Sequence, residues 1–457
     1  MDFKWNYKRA FLRCGLLSAA GVALQIAAGD VPAAFLRYPW TAVLAVNYLY
    51  LLVLAYVFSG RYKWLRTLWD DKACISSLAS VLVVVIVSGF GRITASWPFV
   101  LILMYFTTVL GIRTIAEISG VGHLFRKTVS GPDRLRHLAR TAMHAGIFVL
   151  LWAGIFGSGD KVRYKTAVPP EVPVVMASDA SGNRIALPFS ITLHSFSVPP
   201  EADRYLSEIT LTEKGGHRRD YDIEVNRPAR HGAWRIYQSG YDSSGHWGTV
   251  SVLECVKDPW WPVICAALWA VLASALLIVC ARLKPEWILL TAVLLAVACI
   301  GVYFAKIHGK TLVPALRSAW FVPHVAAYMA AYSVLGAAAL VALYLWLRPS
   351  HEEPSERGMR LCDALVGTGS ALLSAGMMMG ALWAKQAWGD WWTWDPKETW
   401  AAATWAGYLL YIHLRGTRRI DYHTAFALIL FSFLLIQMCW YGVNYLPSAR
   451  GASLHLY

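Results

Sequence analysis

Charge is scarce in this chain. Asp, Glu, Lys and Arg make up 15% of its 457 residues, against 57% hydrophobic residues, and the mean hydropathy is +0.44. Cysteine pairs are lacking too. The eight cysteines (Cys14, Cys74, Cys255, Cys265, Cys280, Cys299, Cys362 and Cys439) form no Cys-x-x-Cys, which excludes a redox dithiol motif and structural zinc spacing. No Cys-x-x-Cys-His occurs, so the chain is not itself a c-type cytochrome. There is no low-complexity segment, and no Ser/His/Asp or reactive-cysteine arrangement stands out. The net charge of +14 invites a nucleic-acid partner. Its placement argues against one, because Lys and Arg sit in short loops between apolar runs, where a basic excess reports membrane orientation.

What remains is a series of apolar runs, each long enough to cross a bilayer. Eleven are expected, roughly at 11–28, 40–59, 74–90, 97–117, 141–158, 260–281, 286–305, 324–347, 361–384, 399–414 and 423–442. Lys4, Lys8, Arg9 and Arg13 precede the first, as in a signal anchor. If spans alternate, the basic loops after spans two, six, eight and ten and before span five share the side of the N-terminus. The N-terminus is thus expected inside and the C-terminus outside. Residues 159–259 form the one long polar segment, and parity places it outside. Ile191–Val198 and Ile209–Thr212 alternate as strands do, Tyr221–Val225 and Trp234–Tyr237 are further strand candidates, and Gly/Ser/Asp-rich turns separate them. The expected fold is a polytopic α-helical membrane protein with one small extracytoplasmic β-rich domain. Its expected parts are helices in 1–158, the β-rich domain in 159–259 and helices in 260–457. His194, His217, His231 and His246 read as surface or loop residues of the β-rich part.

The densest signal is Trp388-Gly389-Asp390-Trp391-Trp392-Thr393-Trp394-Asp395-Pro396-Lys397-Glu398-Thr399-Trp400. An aromatic belt at the membrane interface explains one or two of these indoles. It does not explain five interleaved with Asp390, Asp395, Lys397 and Glu398. Indoles offer flat apolar area with an N–H for polar edges, which fits a large flat ligand such as haem; Lys397 would meet a propionate, and Pro396 suits a helix start. Parity puts this segment outside, together with His324 and His455, and two neutral imidazoles are suitable axial ligands for haem iron. His144 and His413 lie deeper, both toward the inner leaflet. An ionisable residue within a span is a functional candidate by default, and this pair is placed to receive iron porphyrin from inside. His137 and His423 compete with them but sit at loop edges.

The run ending Trp-Asp-Pro-Lys-Glu-Thr-Trp resembles the WWD signature of haem-handling proteins in cytochrome c maturation. His324 in Trp-x-x-x-His-Val, His413 in His-Leu-Arg, and Gly442-Val443-Asn444 followed by His455 resemble the CcsA (ResC) type. Tyr221–Pro228 and Arg235–Asp242 resemble the outer domain of the CcsB (ResB) type. The resemblance covers roughly 140–457 and is to a fused system II cytochrome c synthase. It implies haem b bound as substrate, exported, and joined through its vinyl groups to the thiols of an apocytochrome Cys-x-x-Cys-His. It implies His324 and His455 as outer axial ligands and His144 and His413 as the inner pair, with Trp388, Trp391, Trp392, Trp394, Asp395, Lys397 and Trp400 forming the reaction platform. It further implies a bacterial inner membrane, a periplasm-facing WWD segment and a thioredoxin-like partner that keeps thiols reduced. This chain is shorter than typical fusions, with a compact outer domain. Vinyl–thiol addition asks for positioning rather than a strong acid or base. Rival readings are a haem exporter or chaperone that forms no thioether, a bis-His b-haem electron-transfer protein, and a membrane scaffold.

Overall fold

Apolar stretches this long satisfy their backbone within the bilayer only as helices, and helices they are. The computed structural model describes residues 5–32, 37–91, 93–126, 131–197, 205–242, 249–282, 301, 316, 318–348, 356–417 and 420–449. Before the sheet come α1 (Tyr7–Ala28), α2 (Trp40–Phe58), the single turn α3 (Lys63–Arg66), α4 (Asp71–Phe90), α5 (Trp97–Arg126) and α6 (Gly131–Gly157). After it come α7 (Trp261–Arg282), α8 (Phe321–Trp346), α9 (Glu356–Trp388), α10 (Pro396–Gly416) and α11 (Tyr422–Trp440). Among the described residues, nine helices are long and apolar enough to cross a membrane, all but α3 and α10. The expected seventh span, 286–305, lies outside the described residues. The expected tenth span falls in α10, a full helix that is outside that group.

Burial separates lipid-facing helices from interior ones. Only 17% of the apolar window of α1 and of α2 is buried in the protein, against 83% for α9. Helix α9 is interior because it is built of small residues: Gly367, Gly369, Ser370, Ala371, Ser374, Ala375 and Gly376 are all buried. Small residues let helix backbones approach closely where lipid supplies no hydrophobic drive. A side-chain carbon added at Gly369 would sit 2.6 Å from Leu335 of α8, and one at Gly376 2.8 Å from Tyr328.

The polar segment is an eight-stranded antiparallel sheet of β1 (Val162–Val168), β2 (Val174–Ser178), β3 (Arg184–Ser197), β4 (Leu206–Glu213), β5 (Arg218–Glu224), β6 (Ala229–His231), β7 (Trp234–Asp242) and β8 (Val250–Lys257). The order is β5-β4-β3-β2-β1-β8-β7-β6. Alternation fixes the register: Ile191, Leu193, Ile209, Leu211, Ile223, Ile236 and Leu253 fill one side, and a one-residue slip would turn each outward. The sheet curls until its edges meet in a near-barrel, where the Tyr221 hydroxyl lies 3.1 Å from His231 Nδ1. Burial pushes the Cys255 thiol up to about 12, so it stays an inert apolar side chain.

The sheet is bolted to the end of α9. Lys385 Nζ donates to Asp258 Oδ2 at 2.5 Å and to Gly389 O at 3.1 Å, and both side chains of the ion pair are 5% exposed. Burial pushes the Tyr237 phenol up to about 12, so its hydroxyl stays protonated and donates to Lys385 O at 3.1 Å. Gln386 Nε2 donates to Asn226 O at 2.8 Å. Breaking a buried pair by deleting one partner costs about 3–5 kcal/mol. Asp258→Ala is therefore expected to lower the thermal midpoint of the detergent-solubilised chain and to speed proteolysis between sheet and helices. A melting curve and cleavage rate equal to wild type would refute this docking.

Candidate functional site

Residues 389–395 turn the chain from α9 into α10, and their backbone has little freedom. Gly389 has φ 81°, and a side-chain carbon there would lie 3.0 Å from the Tyr237 ring, so conformation and space both require glycine. Trp394 has φ 56°, which for a non-glycine residue stores about 1–3 kcal/mol of strain. Asp395 caps α10: its side chain accepts from Lys397 N at 2.9 Å, and Glu398 completes a capping box with Pro396 in the first turn. Glu398 Oε2 accepts from Thr393 N at 2.7 Å, Thr393 Oγ1 at 3.1 Å and Asp395 N at 3.2 Å. The carboxylates of Asp395 and Glu398 are thus engaged in holding the turn. Asp390 is engaged as well, paired with Lys161 and Arg163 of the sheet side. Arg163 also donates to Trp388 O at 2.9 Å and forks onto Glu254 at 2.9 and 2.7 Å.

The indoles divide between two surroundings. Trp400 is 2% exposed in the core of α4, α5 and α10, set edge-on to Phe90 at 5.3 Å, with Gly89 making its room. Trp394 packs on the same core, edge-on to Phe99 at 5.1 Å. Trp391 sits by Trp261 at 6.2 Å, with Lys385 over its ring at 5.1 Å. Trp388 meets Trp383 edge-on at 5.7 Å. Trp392 lines a cavity.

That cavity, of about 300 Å³, is walled by His324, Tyr328, Trp383, Trp392, Lys397 and Cys439, among others. The structure therefore brings together three of the residues expected to act: His324, Trp392 and Lys397. His324 Nδ1 lies 2.9 Å from Gly376 O, and a carbonyl only accepts, so that bond puts the ring proton on Nδ1 and the neutral ring's lone pair on Nε2. Tyr328 and Trp383 flank the ring at 4.8 and 5.7 Å. A side-chain carbon at Gly380 would lie 2.7 Å from His324 Cε1. Gly380 thus leaves the space in α9 that seats the imidazole, and Gly376 the space for Tyr328 beside it. The Trp392 indole N–H is buried with no hydrogen-bond partner among the described residues, a polar handle for a ligand edge. His455 lies outside the described residues.

His144 and His413 meet at the other end of the bundle. Their ring centroids are 6.1 Å apart with planes inclined 25°. The rings are near-parallel, at a separation within the range of offset aromatic pairs. His413 Nδ1 lies 2.7 Å from Leu409 O, and His144 Nδ1 lies 2.9 Å from Glu117 Oε2. His413 is 17 residues from Pro396, about 25 Å along α10 at 1.5 Å per residue, so the two histidine sites lie at opposite depths.

Sequence reasoning passed over Trp383, Tyr328 and Cys439 in the cavity wall, and Glu117 beside His144. Two signals pointed to them: Gly376-x-x-x-Gly380 marks a close helix contact, and Glu117 is a carboxylate inside an apolar run.

Residues 260–449 match the family described as cytochrome C assembly protein, and residues 131–257 match the ResB-like family. The chain is 30% identical over 223 residues to a cytochrome c biogenesis protein CcsA of Guillardia theta, covering 41% of this chain and 72% of that protein. A CcsA of Prochlorococcus marinus is 30% identical over 236 residues, with 42% and 72% covered. The chain belongs to the CcsA family. The CcsA of Chlamydomonas reinhardtii is 28% identical over 226 residues, and the match spans 62% of that protein's length. CcsA-type and ResB-like parts in one chain are consistent with a fused CcsB/CcsA system II protein. Membership gives this membrane chain a role in cytochrome c biogenesis and implies haem handling. The CcsA-matching part contains the cavity and His413, while the ResB-like part contributes His144 and the sheet.

Replacing Glu398 by Ala leaves Thr393 N and Asp395 N without their acceptor, and for the buried Asp395 donor that costs about 1–3 kcal/mol. A lowered melting midpoint is expected for Glu398→Ala and a smaller drop for Glu398→Gln, which keeps an acceptor oxygen; equal midpoints for both variants and wild type would contradict the cap.

Proposed function

We propose that this CcsA-family chain carries haem across a membrane and joins its vinyl groups to the two thiols of an apocytochrome Cys-x-x-Cys-His. The observation that carries this reading is the cavity that unites His324, Trp392 and Lys397. Its chemistry suits a porphyrin: an imidazole for iron, indole faces for the ring, and an ammonium and a buried indole N–H for propionates.

Haem is the substrate of this reading, not a resident cofactor. His324, its lone pair on Nε2, supplies one axial ligand at the cavity, and His455 supplies the second. His144 and His413 are the pair that takes haem at the other depth. On this reading the sheet, the Trp segment and the C-terminus face the periplasm of a bacterial inner membrane, and the N-terminus faces the cytoplasm. A thioredoxin-like protein keeps the apocytochrome thiols reduced. Each thioether forms by addition: sulfur bonds the vinyl carbon next to the ring, and the thiol proton ends on the terminal carbon. No bond to the protein forms, so no side-chain nucleophile is needed. The protein's part is to fix the ring's position, where correct orientation alone is worth several kcal/mol of barrier. Trp392 and the Tyr328–Trp383 pair fix ring and ligand, and Lys397 holds the acidic edge.

The test is expression with an apocytochrome bearing Cys-x-x-Cys-His in a host without its own maturation system. Haem is expected to stay on the cytochrome under denaturing electrophoresis. Haem that co-purifies with the chain but never becomes covalent would replace the synthase by an exporter. His324→Ala and His455→Ala are expected to impair attachment, and His144→Ala and His413→Ala to cut total haem loading; unchanged attachment and loading in all four would discard the ligand scheme. Gly380→Ala, which crowds His324 while leaving its chemistry intact, is expected to reduce attachment at least tenfold, about 1.4 kcal/mol.

A further inference from the structure

Glu117 is the most deeply placed carboxylate near a histidine among the described residues, and it is asymmetrically used. Its residue is 9% exposed. One oxygen, Oε2, faces His144 Nδ1 at 2.9 Å. The other, Oε1, faces Arg113 Nε at 3.5 Å and Arg140 Nε at 3.9 Å. With Arg113 and Arg140 on Oε1, the oxygen left to accept from His144 is Oε2, so the geometry places the proton of that bond on Nδ1 and leaves Nε2 as the atom able to ligate. Leu409 O imposes the same tautomer on His413. The two rings are matched in tautomer but differ in what stands behind them: a carboxylate in one case, a peptide carbonyl in the other.

We infer that Glu117 is a positioning residue for the deep histidine pair: it orients His144, fixes its Nε2-ligating tautomer, and makes it the stronger electron donor of the two. The inference rests on the reading of His144 and His413 as haem ligands and adds a member that neither motif contains. A carboxylate behind a ligating imidazole pushes electron density toward the metal, and loss of such a partner typically weakens metal binding by about 10–100-fold. More electron density on iron favours the oxidised form, so Glu117 holds the deep haem at a lower potential than a carbonyl-backed pair would. Arg113 and Arg140 keep the carboxylate's second oxygen occupied, which fixes which oxygen faces His144.

The experiment uses the full chain purified in detergent from a haem-replete host, with His324→Ala in every sample to clear the cavity site. Haem per chain and the midpoint potential of the remaining haem are measured for Glu117→Gln, His144→Ala and the double variant. Glu117→Gln is expected to lower haem occupancy, to raise the potential of what remains, and to add nothing in the His144→Ala background, since Glu117 acts only through that ring. If His144→Ala empties the site while Glu117→Gln leaves occupancy and potential as in the parent, the role of Glu117 is overturned and the ligand pair stands. If His144→Ala itself keeps its haem unchanged, the ligand reading fails and this inference with it. Should Glu117→Gln not fold, ring-nitrogen NMR shifts of the parent chain decide, with the His144 signal assigned by its loss in His144→Ala. A proton on Nδ1 is expected, and a proton on Nε2 instead would overturn the proposal.

Discussion

The buried ion pair of Lys385 with Asp258 is the constraint on which the functional end of this protein depends. It joins the last turn of an interior helix to the residue that follows β8 of the sheet, and the turn carrying the indoles starts four residues later. Arg163 and Lys161 reach from the same sheet to Asp390, so the turn is held from both sides. Charges in such surroundings are stable only when paired and hydrogen-bonded. The sequence spends four acidic residues, Asp258, Asp390, Asp395 and Glu398, on that end. None of them faces a ligand alone. Together they freeze a backbone that includes a left-handed tryptophan, and the frozen turn gives the cavity its Trp392 and Lys397.

Ring-nitrogen hydrogen bonds of the same kind recur at both histidine sites. At the cavity, the Gly376 carbonyl and the space left by Gly380 orient His324. At the opposite depth, a carbonyl and a carboxylate orient His413 and His144. In each case the ring proton is assigned to Nδ1, leaving Nε2 as the donor atom. On the proposed function, this lets one substrate be taken at one depth and presented at the other without change of ligand chemistry. The interior placement of α9 and α10 between those depths follows from their glycine, alanine and serine content.

Periodicity and composition made the architecture readable. Apolar run length marks helices at 40–59 and 423–442, and strict alternation at Ile209–Thr212 marks β4. Side-chain roles were less readable because they depend on partners distant in sequence. Asp390 and the five indoles look alike in a linear reading. Arg163, more than two hundred residues earlier, claims Asp390, and α4 and α5 claim Trp394 and Trp400, leaving Trp392 to the cavity. Glu117 was hidden for the same reason: its meaning is the histidine of another helix. Where an effect was local, as with Pro396 at the start of α10, the sequence was sufficient.

The central claim is that the sheet, through its ion pairs, positions the Trp segment for the ligand held there. It is tested most directly by the absorption spectrum and haem content of purified Asp390→Asn, compared with wild type and with His324→Ala. The account predicts that Asp390→Asn loses or spectrally alters the haem of the cavity, as His324→Ala does, while haem at the His144–His413 pair is retained. A haem content and spectrum indistinguishable from wild type, with His324→Ala clearly changed, would contradict it.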